Sequence, residues 1–219
     1  MKLPLKQDQH ISDALREDSL SRSNVHFSSI ISPDNITECP RRMYYRVKAT
    51  ENTKENSFLE MVREHFIAER WAYYFSKCKK FILVDKKIHV SHSEYNIGGT
   101  IDAYVEFDDC RYMVKVKPLS EDEFQTIKEK GPKRRHVIEA IIYLWLSEVE
   151  DGLLIYENNN SQDYIIYTFE SYEPILRSVK DKCKSLIRSQ ISGVIPPRII
   201  GSNAKKECKV CEYNGVCLK

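Results

Sequence analysis

Apolar residues along the chain change their period four times. From Ser57 to about Cys78 they recur at helical spacing, at Phe58, Met61, Val62, Phe66, Trp71, Ala72 and Phe75, which predicts a long amphipathic helix. Phe81–Val90, Asn96–Phe107 and Arg111–Lys117 then carry β-branched and aromatic residues between turn signals, which predicts three strands. Asp108-Asp109 makes a tight hairpin between the last two. Helical spacing returns from about Lys133 to Glu148, with Val137, Ala140, Ile141, Leu144 and Trp145 as the buried stripe. Two further strands, Leu153–Tyr156 and Asp163–Phe169, flank an Asn158-Asn159-Asn160 turn, and a helix follows over Tyr172–Gln190.

Upstream, a short helix is expected around Ile11–Leu20. A turn at Ser32-Pro33-Asp34-Asn35 leads into a helix over Thr37–Lys48 with Thr37 as its N-cap. Residues 118–132 read as a mobile charged loop, and the chain beyond Ile195-Pro196-Pro197 as irregular. Helices, strands, helix, strands and helix in that order argue one mixed α/β domain with a terminal appendage.

Composition narrows the class without naming a function. The chain has 219 residues, 42% hydrophobic and 30% charged, enough for one sizeable core with an appendage and too apolar for a disordered chain. A balance of 34 Lys plus Arg against 32 Asp plus Glu neither demands nor excludes nucleic acid, because clustering on one face decides that. No apolar run approaches the roughly 20 residues of a bilayer span. The opening MKLPLKQDQHISDALRED lacks a secretory apolar stretch, so a soluble, cytoplasmic protein with no membrane partner is expected.

Seven cysteines change the picture. Cys208-x-x-Cys211 lets two thiolates converge on one inorganic centre, and Cys217 can return as a third across Asn214-Gly215. A four-coordinate centre then needs one distant ligand. Spacing alone does not separate zinc from an iron–sulfur cluster. Cys39 stands at the start of a predicted helix, whose dipole favours a thiolate. Cys78, Cys110 and Cys183 lie within or beside apolar patterns and read as small core residues.

Gly98-Gly99-Thr100-Ile101-Asp102 sets an acid inside an otherwise apolar strand, which is costly unless it is paired or binds a cation. The glycines allow a phosphate backbone or a neighbouring strand to come close. On the next strand Lys115 and Lys117, two apart, share a face. A carboxylate beside a lysine is a workable site for phosphodiester hydrolysis and is equally an ordinary cross-strand ion pair.

CPRRMYY, a helical His, GGTID, a strand ending Val-Lys-Pro, a helix with Glu-x-x-x-Tyr and a terminal C-x-x-C-x-x-x-x-x-C occur here in one order over about residues 27–217. That order resembles the RecB-like, CRISPR-associated iron–sulfur exonucleases (the fourth Cas protein family) of the PD-(D/E)xK nuclease superfamily. The resemblance implies a restriction-endonuclease-like core with a mixed central sheet flanked by helices over residues 31–195. A helical segment precedes it over 1–30, and a cysteine-rich tail over 196–219 is closed by Cys39. It implies a [4Fe–4S] cluster on Cys39, Cys208, Cys211 and Cys217, with zinc as the lesser alternative. It further implies Mg²⁺ or Mn²⁺ on His65 and Asp102, Lys117 as catalytic lysine, and Tyr143 as the tyrosine of the helix motif. The implied activity is metal-dependent exonucleolytic cleavage of single-stranded DNA or DNA ends during spacer acquisition, beside Cas integrase proteins.

Two departures from the family pattern qualify this expectation. Lys115 stands where the family has Glu, and Glu139 where the helix motif begins with Gln. A +1 charge at ~5 Å from a +2 ion costs roughly 7 kcal/mol at an effective dielectric of about 20. Glu139 would return a carboxylate from the helix packed over this face, making it both a metal ligand and a catalytic residue. The alternative is a catalytically silent iron–sulfur DNA-binding or interaction protein of the same fold. Basic runs at Arg41 and Arg42, and at Lys133, Arg134 and Arg135, are expected on phosphates, with Tyr44, Tyr45, Trp71 or Tyr73 stacking on bases.

Overall fold

The computed structural model describes residues 30–48, 58–199 and 204–217, so the helix expected around Ile11–Leu20 lies outside the described residues. Helix α1 (Pro40–Lys48) starts three residues later than expected. Pro40 explains the delay: its fixed φ and missing N–H suit the first helical position. Cys39 stands just before it, its carbonyl accepting the Met43 N–H at 3.0 Å, while Thr37 lies in the preceding turn. Helix α2 (Phe58–Lys77) comes next, then β1 (Ile82–His92), β2 (Ile97–Phe107) and β3 (Cys110–Leu119). Asp108 and Asp109 both take positive φ (48° and 61°), as a two-residue hairpin between twisted strands requires.

Residues 118–132 are not a loop. They hold the end of β3 and helix α3 (Glu121–Lys130). Three acids open its first turn, Ser120 Oγ meets Glu123 Oε2 at 3.2 Å, Phe124 and Ile127 are buried, and Gly131 closes it at φ 82°. The charge density on its outer face hides this short stripe. Helix α4 (Arg134–Ser147), strands β4 (Asp151–Asn158) and β5 (Tyr164–Glu170) and helix α5 (Glu173–Ser192) agree with expectation within a few residues. The tail is not wholly irregular, since it contains α6 (Ala204–Lys209) and α7 (Asn214–Cys217).

The five strands form one sheet in the order β1-β2-β3-β4-β5, antiparallel except for the β3–β4 pair. A parallel pair needs a crossover, and α3 and α4 supply it. Alternation then sorts β4 between two cores. Leu153 and Ile155 pack with Ile67, Trp71 and Phe75 of α2, while Leu154 and Tyr156 pack with Phe124 and Ile127 of α3. Ile101 and Met113 meet Tyr143 and Leu144 of α4. Ile142 joins Val179, Cys183 and Leu186 of α5. Cys183 is thus core as expected, whereas Cys78 and Cys110 are exposed at an element end.

The first half of β2 is held differently from the second. Its ladder with β3 runs only from Phe107–Cys110 to Ala103–Val114, so beyond that point the strands fork. Its first residues are instead held by an isolated bridge, with Ile31 N–H donating to Asn96 O at 2.7 Å and Gly98 N–H to Ile31 O at 3.0 Å. The glycines admit protein rather than phosphate: a Cβ on Gly98 would meet Ser91 of β1, and one on Gly99 would meet the Tyr143 ring and hydroxyl. Gly99→Ala is therefore expected to cost about 1–3 kcal/mol of stability, as overpacking does. Urea denaturation should show it as a lowered midpoint at unchanged slope.

Candidate active site and cysteine clasp

The fork between β2 and β3 leaves backbone groups without ladder partners, and side chains fill the gap. Asp102 lies at its apex and accepts the Val116 N–H on Oδ2 at 2.7 Å. Its other oxygen receives Lys115 Nζ at 3.3 Å. The Lys115 ammonium also donates to Thr100 O at 3.0 Å and sits over the Tyr143 ring, 4.6 Å from its centre. Lys115 is therefore turned inward, its side chain only 10% exposed.

Lys117, on the same face, is held by two acids from other elements. Its Nζ lies 2.6 Å from Glu139 Oε1 and 3.2 Å from Asp34 Oδ1. Asp34 belongs to the 3₁₀ turn Pro33–Asn35, which the Ile31 bridge sets beside the fork. The Tyr143 hydroxyl donates to Asp34 Oδ2 at 3.3 Å, and Ser32 Oγ to the same oxygen at 2.9 Å. Nothing in the motif pattern singles out Asp34. A carboxylate five residues before Cys39, in a Pro-opened turn, is the signal that could have found it.

Charge is shared unevenly in this group. Burial, then the Asp34 charge, pushes the Glu139 carboxyl up to about 8 against the pull of Lys117. Burial works against the Asp34 charge too, but Lys117 and Lys115 hold it well below the usual carboxylate range. Asp34 keeps 46% of its side-chain surface open, so the cations rather than burial decide its state. Lys117, although burial opposes its charge, is raised above the ordinary lysine value by Glu139 and Asp34. Burial and the neighbouring Asp34 charge thus favour a proton on Glu139, while the two lysines favour the ionised form of Asp34. Burial raises Tyr143 as well, reinforced by Asp34, Glu139 and Asp102.

Of the site residues expected from sequence, Asp102, Lys117, Glu139 and Tyr143 come together here. His65 does not join them: it is exposed on α2, with Nε2 2.9 Å from Lys87 Nζ of β1. Its neighbour Glu64 lies toward the fork. Burial raises its carboxyl, and the charges of Lys117, Asp34, Lys115 and Asp102 all act on it.

The four cysteines form the second constellation. Cys39, Cys208, Cys211 and Cys217 line one cavity of about 260 Å³ between α1 and the tail. Among the described residues no three His, Cys, Asp or Glu side chains converge tightly enough for a single ion. Arginines surround the thiols. Arg41 Nη1 is 3.8 Å from Cys217 Sγ and its Nε donates to Pro196 O at 2.8 Å. Arg42 and Arg46 both bridge Glu38 to Glu212. Arg41 and Arg42 are therefore engaged in joining the tail to α1, away from the role on phosphates expected of them. Tyr44 is buried, and Tyr45 packs on Tyr213. Lys133 pairs with Glu123 at 2.5 Å, whereas Arg134 and Arg135 stay exposed and line, with Lys182, a groove of about 840 Å³.

No family model matches the chain, and no curated protein matches it by sequence. Solved structures do. The protein SSO0001 superposes with a TM-score of 0.53 at 18% identity, covering 94% of this chain and 96% of its own. The alkaline exonuclease LHK-Exo from Laribacter hongkongensis gives 0.58 at 10% identity, over 83% of this chain and 93% of that one, and has also been solved with dAMP. A phage-related exonuclease from Haemophilus somnus gives 0.50 at 10% identity, over 71% and 80%. The chain shares its mixed α/β fold, a central sheet flanked by helices, with these structures. No helix among the described residues is long and apolar enough to cross a membrane.

The Glu139 proton has a measurable consequence. A carboxyl raised to about 8 in the fold and near 4.5 when unfolded binds more protons folded, so stability falls as pH rises between those values. Buried His136, lowered to about 3 by burial and by Lys117 and Arg135, acts in the opposite sense and only below about 6.5. Between pH 6.5 and 8 the metal-free protein should therefore lose stability in urea melts, and Glu139→Gln should flatten that slope.

Proposed function

We propose that the chain is a metal-dependent nuclease that trims single-stranded DNA or DNA ends, its tail clasped to the core by a [4Fe–4S] cluster. The pairing of Asp34 and Glu139 with Lys117, beside Asp102 on Lys115 and the Val116 N–H in the same strand fork, carries this reading. Asp102 and Glu139 would hold Mg²⁺ or Mn²⁺, with Asp34 rather than His65 as the further acid at hand. A divalent ion bound there supplies charge against the scissile phosphate and a lower pKa for its water. Lys117, steadied between two carboxylates, orients the attacking water and offsets charge developing on the phosphate. The exposed Arg134 and Arg135 offer phosphate contacts beside the site. The dAMP complex of LHK-Exo supports nucleotide binding by this type of fold.

A cavity walled by four thiols and several arginines suits a polynuclear anionic cluster better than one zinc ion, since it is wider than a single ion needs and the guanidinium groups offset thiolate charge. The motif order in the sequence extends the proposal to end trimming in spacer acquisition, with Cas integrase proteins as partners.

One observation favours a second reading, a silent DNA-binding relative. Lys115 already neutralises Asp102 from inside the site, and a cation in that place repels a metal ion. Cleavage of end-labelled single-stranded DNA with Mn²⁺ separates the two. Under the nuclease reading the parent cuts. Asp102→Ala and Glu139→Gln then lose more than the roughly 10–100-fold that outer-shell changes cost, and Lys115→Glu cuts faster. Activity appearing only with Lys115→Glu establishes the silent reading instead. For the clasp, the purified protein should absorb in the visible range and lose that band on Cys39→Ala. A colourless zinc protein would sink the cluster.

A further inference from the structure

A third cavity, of about 400 Å³, lies on the opposite side of β4 from Tyr156, between α2 and β5. Its geometry is that of an aromatic box. Trp71 forms the floor. Tyr74 stands on it at 81° with ring centres 5.9 Å apart, and Tyr164 at 88° and 5.1 Å. Trp71 is 7% exposed, whereas Tyr74 and Tyr164, which line the cavity, are 48% and 59% exposed, so the walls keep much of their surface open. Behind the floor, Glu157 is almost wholly buried, and both its oxygens are engaged, one by Arg70 and the other by the Trp71 indole N–H at 2.6 Å.

Charge decides what such a box accepts. Aromatic boxes commonly hold ammonium groups, but that requires a cation-attracting site. Here the carboxylate is already neutralised, and the Arg70 guanidinium lining the cavity repels a second cation. The exterior is basic as well: Lys77, Lys79 and Lys80 are exposed around Cys78 and Phe81, which also line the cavity. A neutral planar ring joined to anionic groups satisfies all three conditions.

We propose that this cavity is a slot for one unpaired nucleobase of a DNA strand, whose flanking phosphates are met by Lys77, Lys79 and Lys80. The inference rests on the proposed action on DNA and adds to it a base-holding subsite outside the fork. The cavity opens on the α2 face of the sheet: Glu157 is registered against Pro118, whereas Tyr156 and Lys117 turn to the other face, so a strand reaches the cavity around the fork along α2. On α2 the cavity residue Tyr74 lies ten positions beyond Glu64, which feels the charges of the fork, or about 15 Å of helix.

The test is an equilibrium titration of the full chain with a short oligo-dT in metal-free buffer, so that binding is read whether or not the protein cleaves. Stacking lost from a base is worth 1–3 kcal/mol, or about 5- to 150-fold. Tyr74→Ala with Tyr164→Ala should weaken binding at least to that extent, and Tyr74→Phe with Tyr164→Phe should leave it near the parent. The parent should discriminate against an oligonucleotide carrying an abasic position by a similar factor, and the alanine pair should not. Lys79→Glu with Lys80→Glu should lower the salt dependence of binding. Equal binding by the parent and the alanine pair overturns the slot and leaves the action on DNA standing. A parent that binds no oligonucleotide overturns both.

Discussion

Two ammonium groups answering the carboxylates of a strand fork are the constraint around which this structure is arranged. Where β2 and β3 part, the backbone cannot complete its own ladder, and Asp102 takes the freed Val116 N–H. A carboxylate placed there is expensive without a countercharge. The chain supplies one from the adjacent strand in Lys115, then arranges Lys117 between Asp34 and Glu139. The acids outnumber the cations by one, and the proton raised onto Glu139 makes up the difference. A divalent ion would make the same adjustment at the expense of that proton and the Lys115 contact.

The fork and the cysteine clasp are mechanically one unit. Residues 31–39 bridge to β2 at Ile31, present Asp34 to Lys117 and Tyr143, and end at Cys39 in the thiol-lined cavity. Lys182 of α5 anchors the middle through the Ile36 and Glu38 carbonyls. An inorganic group gripped by the four cysteines would therefore contribute folding free energy along a segment that also carries Asp34, the partner of Lys117. The arginines of α1 serve this join, which explains why a basic helix here leaves so little charge for a nucleic-acid surface.

Much of the architecture is legible in the chain alone. Strand and helix periods give the five strands and most helices, because half-buried strands and one-sided helices write their period into the chain. Asp102, Lys117, Glu139 and Tyr143 are recognisable from motif order, and the terminal cysteines from their spacing. Helix α3 escapes such a reading because its apolar stripe is two residues wide inside a highly charged segment. His65 and Glu64 show a different limit: a helical period identifies a face, but one residue is about 100° of rotation, which decides whether a side chain reaches a fork or a neighbouring lysine. Cys78 and Cys110 depart from expectation for a related reason, since an apolar neighbourhood in sequence does not bury a residue at an element end.

By itself, then, the sequence determined the five strands and the longer helices, which thiols are close in the tail, and which polar residues interrupt apolar runs. These come from local periodicity and spacing. Only the tertiary structure decided that Asp34 stands beside Lys117, that Lys115 points inward rather than away, and that Trp71, Tyr74 and Tyr164 close a box with a buried carboxylate behind it. Each of those facts joins residues far apart in the chain, and such contacts are set by packing and charge compensation across elements, which no local pattern encodes.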